Sequence, residues 1–491
     1  MNYSIIRYLL CRVLEFQAMF LALPCIAALI YRERAGWAYA AVLAGCLLVG
    51  TLGKMKKPGS NVFYAREGFA AVSLSWIVLS VTGALPLYLS GEFSSYTDAL
   101  FETISGLTTT GASILGDVEA LSQCNLFWRS FTHWIGGMGV LVLIMAVLPL
   151  AGGYNMHLMR AESPGPTVGK LVPRVKNTAR NLYKMYIVLT IIEIILLLIT
   201  GMSVFESMTL SFGTAGTGGF GVLNDSIGSY RMISQAIITI FMILFGINFN
   251  AYYLLWQKKY LQALHHEEMR YYLGIILGAV LLITINIRGS FQSVLDAFHH
   301  AAFQVASIIT TTGYSTADFN QWPEFSKFVL VLLMFIGACA GSTGGGIKVS
   351  RVVIMLKLVK NELSYLIHPK RVRQIHFEKH VVNKDVLRSI SVFFIAYAII
   401  YGLSVLLISL DELDFTTNFT AVAATLNNIG PGLGQVGPAE NFSVYSQPAK
   451  YVLMFDMLAG RLEHQIPLLQ KSLWESRELL PLFPLWISAV H

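Results

Sequence analysis

Four stretches of the chain bring together residue types from which a site for a dehydrated small cation can be built. They are DALFETISGLTTTGAS (98–113), FESMTLSFGTAGTGGFG (205–221), DAFHHAAFQVASIITTTGYST (296–316) and DFTTNFTAVAATLNNIGPGLG (414–434). In each, a semi-apolar run long enough for about three helical turns ends in a cluster of Thr, Asn and Gly. The candidate ligating residues are Thr109, Thr110 and Gly111; Thr217 and Gly218; Thr311, Thr312 and Gly313; and Asn428, Ile429 and Gly430. Four such turns facing one another stack rings of carbonyl and hydroxyl oxygens that can replace a cation's hydration shell. Glycine supplies dihedrals closed to other residues and lets chains approach. The short helix before each turn presents its partly negative C-terminal end to the same place. None of these clusters holds Asp or Glu, so the chemistry favours a monovalent over a divalent ion.

Backbone of this kind is tolerated at membrane depth only where protein buries it or water reaches it, so membrane helices must position it. The 491 residues are 55% hydrophobic and 13% charged, about half the charge of a soluble globular chain. Apolar segments fall near 14–31, 36–53, 69–89, 127–151, 184–202, 231–256, 271–287, 326–358, 389–410 and 449–462, ten expected spans. Arg7, Arg12 and the loops at 54–67, 153–184, 257–270 and 347–388 hold 25 of the 35 Lys and Arg, which places those segments in the cytoplasm. The net charge of +7 is thereby explained by orientation and lipid contact, not by nucleic acid. The N-terminal apolar run lacks a convincing cleavage site and reads as a retained helix. The five cysteines show no metal spacing and read as buried free thiols.

The cluster glycines Gly111, Gly218, Gly313 and Gly430 are spaced by 107, 95 and 117 residues, so a unit of span, short helix, turn and span recurs four times. The expected fold is therefore an all-α polytopic membrane protein with four pseudo-symmetric repeats around a central pore, preceded by two extra helices. The expected divisions are 1–60 for those two helices, then repeats at 61–160, 161–260, 261–375 and 376–463, and a tail at 464–491.

In the long span 326–358, residues 337–346 read GACAGSTGGG. Gly337, Gly341, Gly344, Gly345 and Gly346, each costing about 1 kcal/mol in a helix interior, predict a break. With Ser342 and Thr343 they form a candidate gating loop, 24 residues beyond Gly313 and so below the third turn. Helix-weakening sites stand at similar offsets in the other repeats, at 136–139, 246–250 and Gly460. Arg461 falls at the depth of the same loop, where a basic residue faces a wet path or snorkels to the surface.

These residues carry a family resemblance. LTTTGA (107–112), AGSTGGGIK (340–348), ATLNNIGPGLG (424–434) and GRLE (460–463) resemble the Trk/Ktr/HKT superfamily of potassium transporters, and within it the TrkH subunits, over nearly the whole chain. The resemblance implies potassium uptake across a bacterial inner membrane, with rubidium also carried, potassium the bound and transported ion, and no covalent cofactor. It implies that the turns are the selectivity filter, that the loop obstructs the pore until a partner pulls the helix, and that Arg461 faces the pore. It also implies a homodimer bound to a cytosolic, nucleotide-binding ring of the TrkA type. The second turn (AGTGGFG) and the fourth (NNIGPG) depart from threonine, which predicts weaker discrimination against sodium.

Other chemistries fit less well. GSTGGGIK fails as a phosphate loop because Lys348 follows Ile347 and no Ser or Thr comes next. His299 and His300 are adjacent on a helix and diverge too far to share a metal. An intramembrane hydrolase lacks GxSxG and a histidine in a span interior where it could act as base. Potassium symport with sodium or protons is the remaining alternative, with Glu193 the one carboxylate in a long apolar run. After GRLE, residues 464–491 stop reading as a membrane helix; an unusual tail or a shift of reading frame each fit, and the lower half of the fourth repeat is affected either way.

Overall fold

The computed structural model describes residues 2–55, 65–137, 139, 175–368, 374–378 and 380–462. The far half of the expected span 127–151, most of the basic loops 54–67 and 153–184, the run 369–373, Glu463 and the tail 464–491 lie outside the described residues.

Helices α1 (Tyr3–Tyr31) and α2 (Gly36–Met55) pack along one another ahead of the repeats. The first repeat is α3 (Ala65–Leu89), α4 (Tyr96–Leu107) and α5 (Gln123–Gly137). The second is α6 (Val175–Ile199), α7 (Val204–Gly216), α8 (Met232–Phe245) and α9 (Phe249–Trp256), followed by α10 (Tyr260–Leu264). The third is α11 (Glu267–Ile287), α12 (Val294–Ile309), α13 (Glu324–Met334) and α14 (Val349–Ile367). A small hairpin, β1 (His376–Phe377) antiparallel to β2 (His380–Val381), leads into α15 (Lys384–Ile408), α16 (Phe415–Leu426) and α17 (Gln447–Arg461).

Among the described residues six helices are long and apolar enough to cross a membrane, and α8 with α9 makes a seventh span bent by 90°. Apolar side chains on their outer faces fit hydrocarbon: Ile395, Ile399, Leu403 and Leu406 make one exposed stripe on α15. The second spans of the second and third repeats depart from the expected straight crossing. The span expected at 326–358 stops at Met334 and resumes at Val349, a break wider than 337–346.

The four short helices α4, α7, α12 and α16 have 12, 13, 16 and 12 residues, at most about 24 Å and too short to cross about 30 Å of hydrocarbon. Each begins with the same device. The side chains of Ser95, Ser203, Ser293 and Asp414 accept a hydrogen bond from the backbone N–H three residues on, at Asp98, Glu206, Asp296 and Thr417. This satisfies one orphan donor at each N-terminus. The first three also place an acid in the first turn, favourable to the dipole.

The hairpin is tied to the start of α11. Glu268 N–H donates to Glu378 Oε1 at 3.1 Å and Glu378 N–H to Glu267 Oε2 at 3.1 Å. Lys357 donates to Glu267, and to His376 O at 2.8 Å. His266 Nδ1 lies 2.8 Å from Glu378 Oε1, an ion pair when the imidazole is protonated. The Glu378 carboxylate raises the His266 imidazolium pKa against the opposing effect of burial. Burial raises the Glu378 carboxyl and His266 lowers it, with a net shift downward. The His266 contribution to stability is complete below its unfolded value of about 6.5 and is lost as pH rises through the folded value. The Glu378 contribution is present above about 4.3 and is lost as pH falls. The melting midpoint of the wild-type chain should therefore exceed that of Glu378→Gln most near pH 6. The gap should shrink at pH 9 and at pH 3; a gap that widens steadily to pH 9 would refute the pairing.

Candidate functional site

Each short helix ends the same way. The N–H groups of Thr110, Gly218, Thr312 and Ile429 donate to the carbonyl five residues back, on Ser105, Gly213, Ser307 and Ala424, all at 2.8 Å. The residue before each donor (Thr109, Thr217, Thr311 and Asn428) is left-handed, with φ between 55° and 58°. Helix C-termini closed by this six-to-one bond usually place glycine there. A threonine at that position costs about 1–2 kcal/mol. Three of four repeats accept that cost, which marks the turns as sites where geometry outranks local stability.

Two residues beyond the left-handed position comes a glycine of positive φ: Gly111 (77°), Gly219 (80°), Gly313 (84°) and Gly430 (103°). The second-repeat counterpart of Gly111 is thus Gly219, not Gly218 as the spacing suggested, while Gly218 takes the place of Thr110. A Cβ on Gly111 would overlap the carbonyl oxygen of Gly218. One on Gly219 would overlap Thr312 O, and one on Gly313 would overlap Ile429 O. A Cβ on Gly430 would stand 2.9 Å from Thr110 O, which closes the cycle. Turn one abuts turn two, two abuts three, three abuts four, and four abuts one. All four glycines line one cavity of about 130 Å³.

Several side chains that sequence reasoning did not single out buttress this ring. Glu102 on α4 and Arg129 on α5 form a fully buried ion pair, Nη2 to Oε1 at 2.7 Å. Glu102 also accepts from Ser113 Oγ at 2.9 Å and Ile114 N–H at 3.1 Å, just past the first turn. The Arg129 guanidinium lies 4.2 Å over the Phe220 ring, just past the second. His133 on α5 lies within the expected span 127–151 and is fully buried. Its Nε2 accepts from Phe220 N–H at 3.3 Å, so its Nδ1 carries the proton that goes to Gly106 O at 2.8 Å. Both nitrogens are committed to backbone, so the ring braces turns one and two. Position 218 requires glycine because a Cβ there would enter this imidazole. In repeats one and three, paired hydroxyls rigidify the turn, Thr108 to Thr110 at 2.8 Å and Thr310 to Thr312 at 2.7 Å.

The broken span of the third repeat runs directly beneath. Gly345 N–H donates to Thr311 Oγ1 at 2.6 Å, and a Cβ on Gly345 would meet Asn427 O at 2.6 Å. Gly344 faces Thr310 O, and Gly346 packs on Gly337. Ser342, Thr343 and the three glycines that follow are buried, while Gly341 is exposed. Lys348, wholly buried, donates to Gly344 O and to Gly345 O at 3.1 Å. Arg461, at the end of α17, donates to Thr343 O at 3.1 Å, Gly136 O at 2.5 Å and Gly137 O at 3.0 Å. It thus ties the loop to the end of α5. His299 and His300 have separate partners, Gln235 at 2.7 Å and Thr316 at 2.9 Å.

Comparison with known proteins gives one consistent answer. The family described as "TrkH: Cation transport protein" matches residues 38–476. The chain is 38% identical to the Trk system potassium uptake protein TrkH of Salmonella typhimurium, over 90% of this chain and 92% of that one. It is 36% identical to TrkH of Vibrio parahaemolyticus, over 96% and 99%, and 34% identical to TrkG of Escherichia coli K12, over 90% and 92%. The crystal structure of the potassium transporter TrkH from Vibrio parahaemolyticus superposes with a TM-score of 0.86 at 32% identity, covering 96% of this chain and 98% of that one.

Proposed function

The chain belongs to the TrkH family of cation transport proteins, and from that premise we propose that it takes up potassium across a bacterial inner membrane through a gated pore. The observation that carries this reading is the closed cycle of four turns, each glycine seated on the middle carbonyl of the next. In it the carbonyls of residues 109–111, 217–219, 311–313 and 428–430 strip and replace the hydration shell of potassium or rubidium. The C-terminal ends of α4, α7, α12 and α16 lower the energy of a cation there, and the inside-negative potential drives entry at about 2.3 kcal/mol per 100 mV without a chemical step. Residues 335–348 lie across the exit and act as the gate.

The cycle is not four-fold in detail. Its closure from turn four to turn one is looser than the other three, and the second and fourth turns replace the middle threonine by Gly218 and Ile429. This unequal cage supports weaker discrimination between potassium and sodium than four identical turns give. The family membership supports a homodimer with a cytosolic ring of the TrkA type as regulator.

Ion flux in proteoliposomes under an imposed potential tests the reading. Potassium and rubidium should enter readily and sodium less so, with no requirement for a counter-gradient. Uptake of none of the three by a folded chain supplied with its regulator would refute it. Symport draws its support from Glu193, fully buried on α6 with neither carboxylate oxygen hydrogen-bonded among the described residues. Potassium entry that collapses with the proton gradient and survives in Glu193→Gln without it would favour that second reading.

A further inference from the structure

The gate loop is held from below by one side chain that lies far from it in sequence. Glu268, in the first turn of α11, is 2% exposed. Its Oε1 accepts from Ala340 N–H at 2.8 Å and from Ser350 N–H at 3.0 Å. Ala340 belongs to the descending arm of the loop, and Ser350 to the first turn of α14, where the chain resumes as helix. A single carboxylate oxygen therefore joins the two ends of the break. It also serves α14 as a cap supplied from another helix, because the N-cap residue Lys348 makes no side-chain cap and the N-terminus of α14 carries no acid of its own.

The backbone of the same glutamate is bound on its other side. Glu268 N–H donates to Glu378 Oε1 in the turn of the hairpin, His266 pairs with that carboxylate, and Lys357 joins Glu267 to the hairpin carbonyl at His376. A continuous chain of contacts thus runs from the hairpin at the cytoplasmic surface, through the first turn of α11, to both ends of the loop beneath the turns.

We propose that Glu268 is the latch that keeps the intramembrane loop closed, and that the β1–β2 hairpin, through Glu378, is the handle through which displacement on the cytoplasmic side releases it. The assignment rests on reading residues 335–348 as the gate. Withdrawing the hairpin shifts the first turn of α11, parts Glu268 from Ala340 and Ser350, and leaves two buried N–H groups seeking water. Such groups are satisfied only if the loop moves out of its dry seat. No covalent change and no change of charge is needed.

Cys339 gives a readout independent of ion flux, because its thiol sits inside the closed loop and is fully buried. The full chain, with Cys11, Cys25, Cys46 and Cys124 replaced by serine, is reconstituted in vesicles. A membrane-impermeant methanethiosulfonate is applied to the cytoplasmic side, and modification is followed by mass. Hydrogen bonds to a charged acceptor predict a ten- to hundredfold faster modification in Glu268→Ala and a smaller rise in Glu268→Gln. Glu378→Gln, which does not touch the loop, should give a several-fold rise, and Glu362→Gln on the exposed face of α14 none. Melting midpoints and gel filtration identify any variant that fails to fold, and Glu378→Gln keeps the test alive if Glu268→Ala is lost. Rates within twofold of the parent in folded Glu268→Gln and Glu378→Gln would overturn the proposal. A rise confined to the Glu268 variants would overturn the role of the hairpin. Loss of flux in every chain with the labelling pattern intact would count against the pore reading alone.

Discussion

Gly219→Ala should lower potassium uptake at least a hundredfold while leaving the protein folded and inserted. The added methyl group must be held at φ near 80°, a conformation that L residues with a side chain rarely adopt. It would also be driven into Thr312 O, well inside the 3.0 Å that real Cβ atoms keep. Backbone, unlike a flexible side chain, cannot rotate away, so the second turn has to withdraw from the third and the cage opens. Gly111→Ala and Gly313→Ala should behave alike, since each meets a neighbouring carbonyl in the same way. Gly430→Ala should be the mildest of the four, because its nearest neighbour, Thr110 O, stands 2.9 Å off. Flux in proteoliposomes, normalised to protein that elutes as the wild type does, gives the ranking. Equal, near-normal flux in Gly219→Ala and wild type would remove the ring from the permeation path, and an inverted ranking with Gly430→Ala most damaged would show that the fourfold closure is wrongly drawn.

Arg461→Ala should raise potassium flux in the absence of any regulator, by roughly tenfold. Its guanidinium donates to Thr343 O in the loop and to Gly136 O and Gly137 O at the end of α5. It therefore clamps the loop to the first repeat. On the proposed pore reading it also places a positive charge beside the path of a cation. Charged hydrogen bonds of this sort each contribute about 1.5–3 kcal/mol, so losing the clamp shifts a closed-to-open balance by at least one factor of ten. Both consequences of removal, a freer loop and a lower electrostatic barrier, act in the same direction. Arg461→Lys should fall between, since one ammonium keeps the charge but cannot span three carbonyls on two elements. Flux that falls in Arg461→Ala with the fold intact would mean that the arginine supports the open state instead.

Much of the architecture is written locally. The low charge, the apolar segments and the asymmetry of basic loops identify a multi-pass membrane chain from composition and hydropathy alone. The Thr/Asn/Gly clusters mark where the short helices stop, because a left-handed residue after a helix is recorded in a few consecutive letters. Their starts were equally readable: Ser95, Ser203, Ser293 and Asp414 each stand at the N-cap, a signal that the reading of clusters passed over. The gap at 337–346 was visible as five glycines, although the break extends from Phe335 to Lys348: Ile347 O accepts from Gly337 N–H and the Lys348 ammonium turns back onto the carbonyls of Gly344 and Gly345, so the far flank folds onto the loop instead of into helix.

Other features could be decided only by tertiary structure. The string GTAGTGG offers several glycines, and nothing within it says which one seats on a carbonyl; contact with Thr312, more than ninety residues away, selects Gly219. The pairs Glu102–Arg129 and His133–Gly106 are each separated by 27 residues, and Glu268 lies 72 residues from Ala340 and 82 from Ser350. Hydropathy, caps and turn residues act through neighbours a few positions apart, so one sequence displays them. Closing a ring of four turns, and latching a loop beneath it, depends on which surfaces meet when about a hundred residues of intervening helix pack, and that is settled by the volume and hydrogen bonding of the assembled whole.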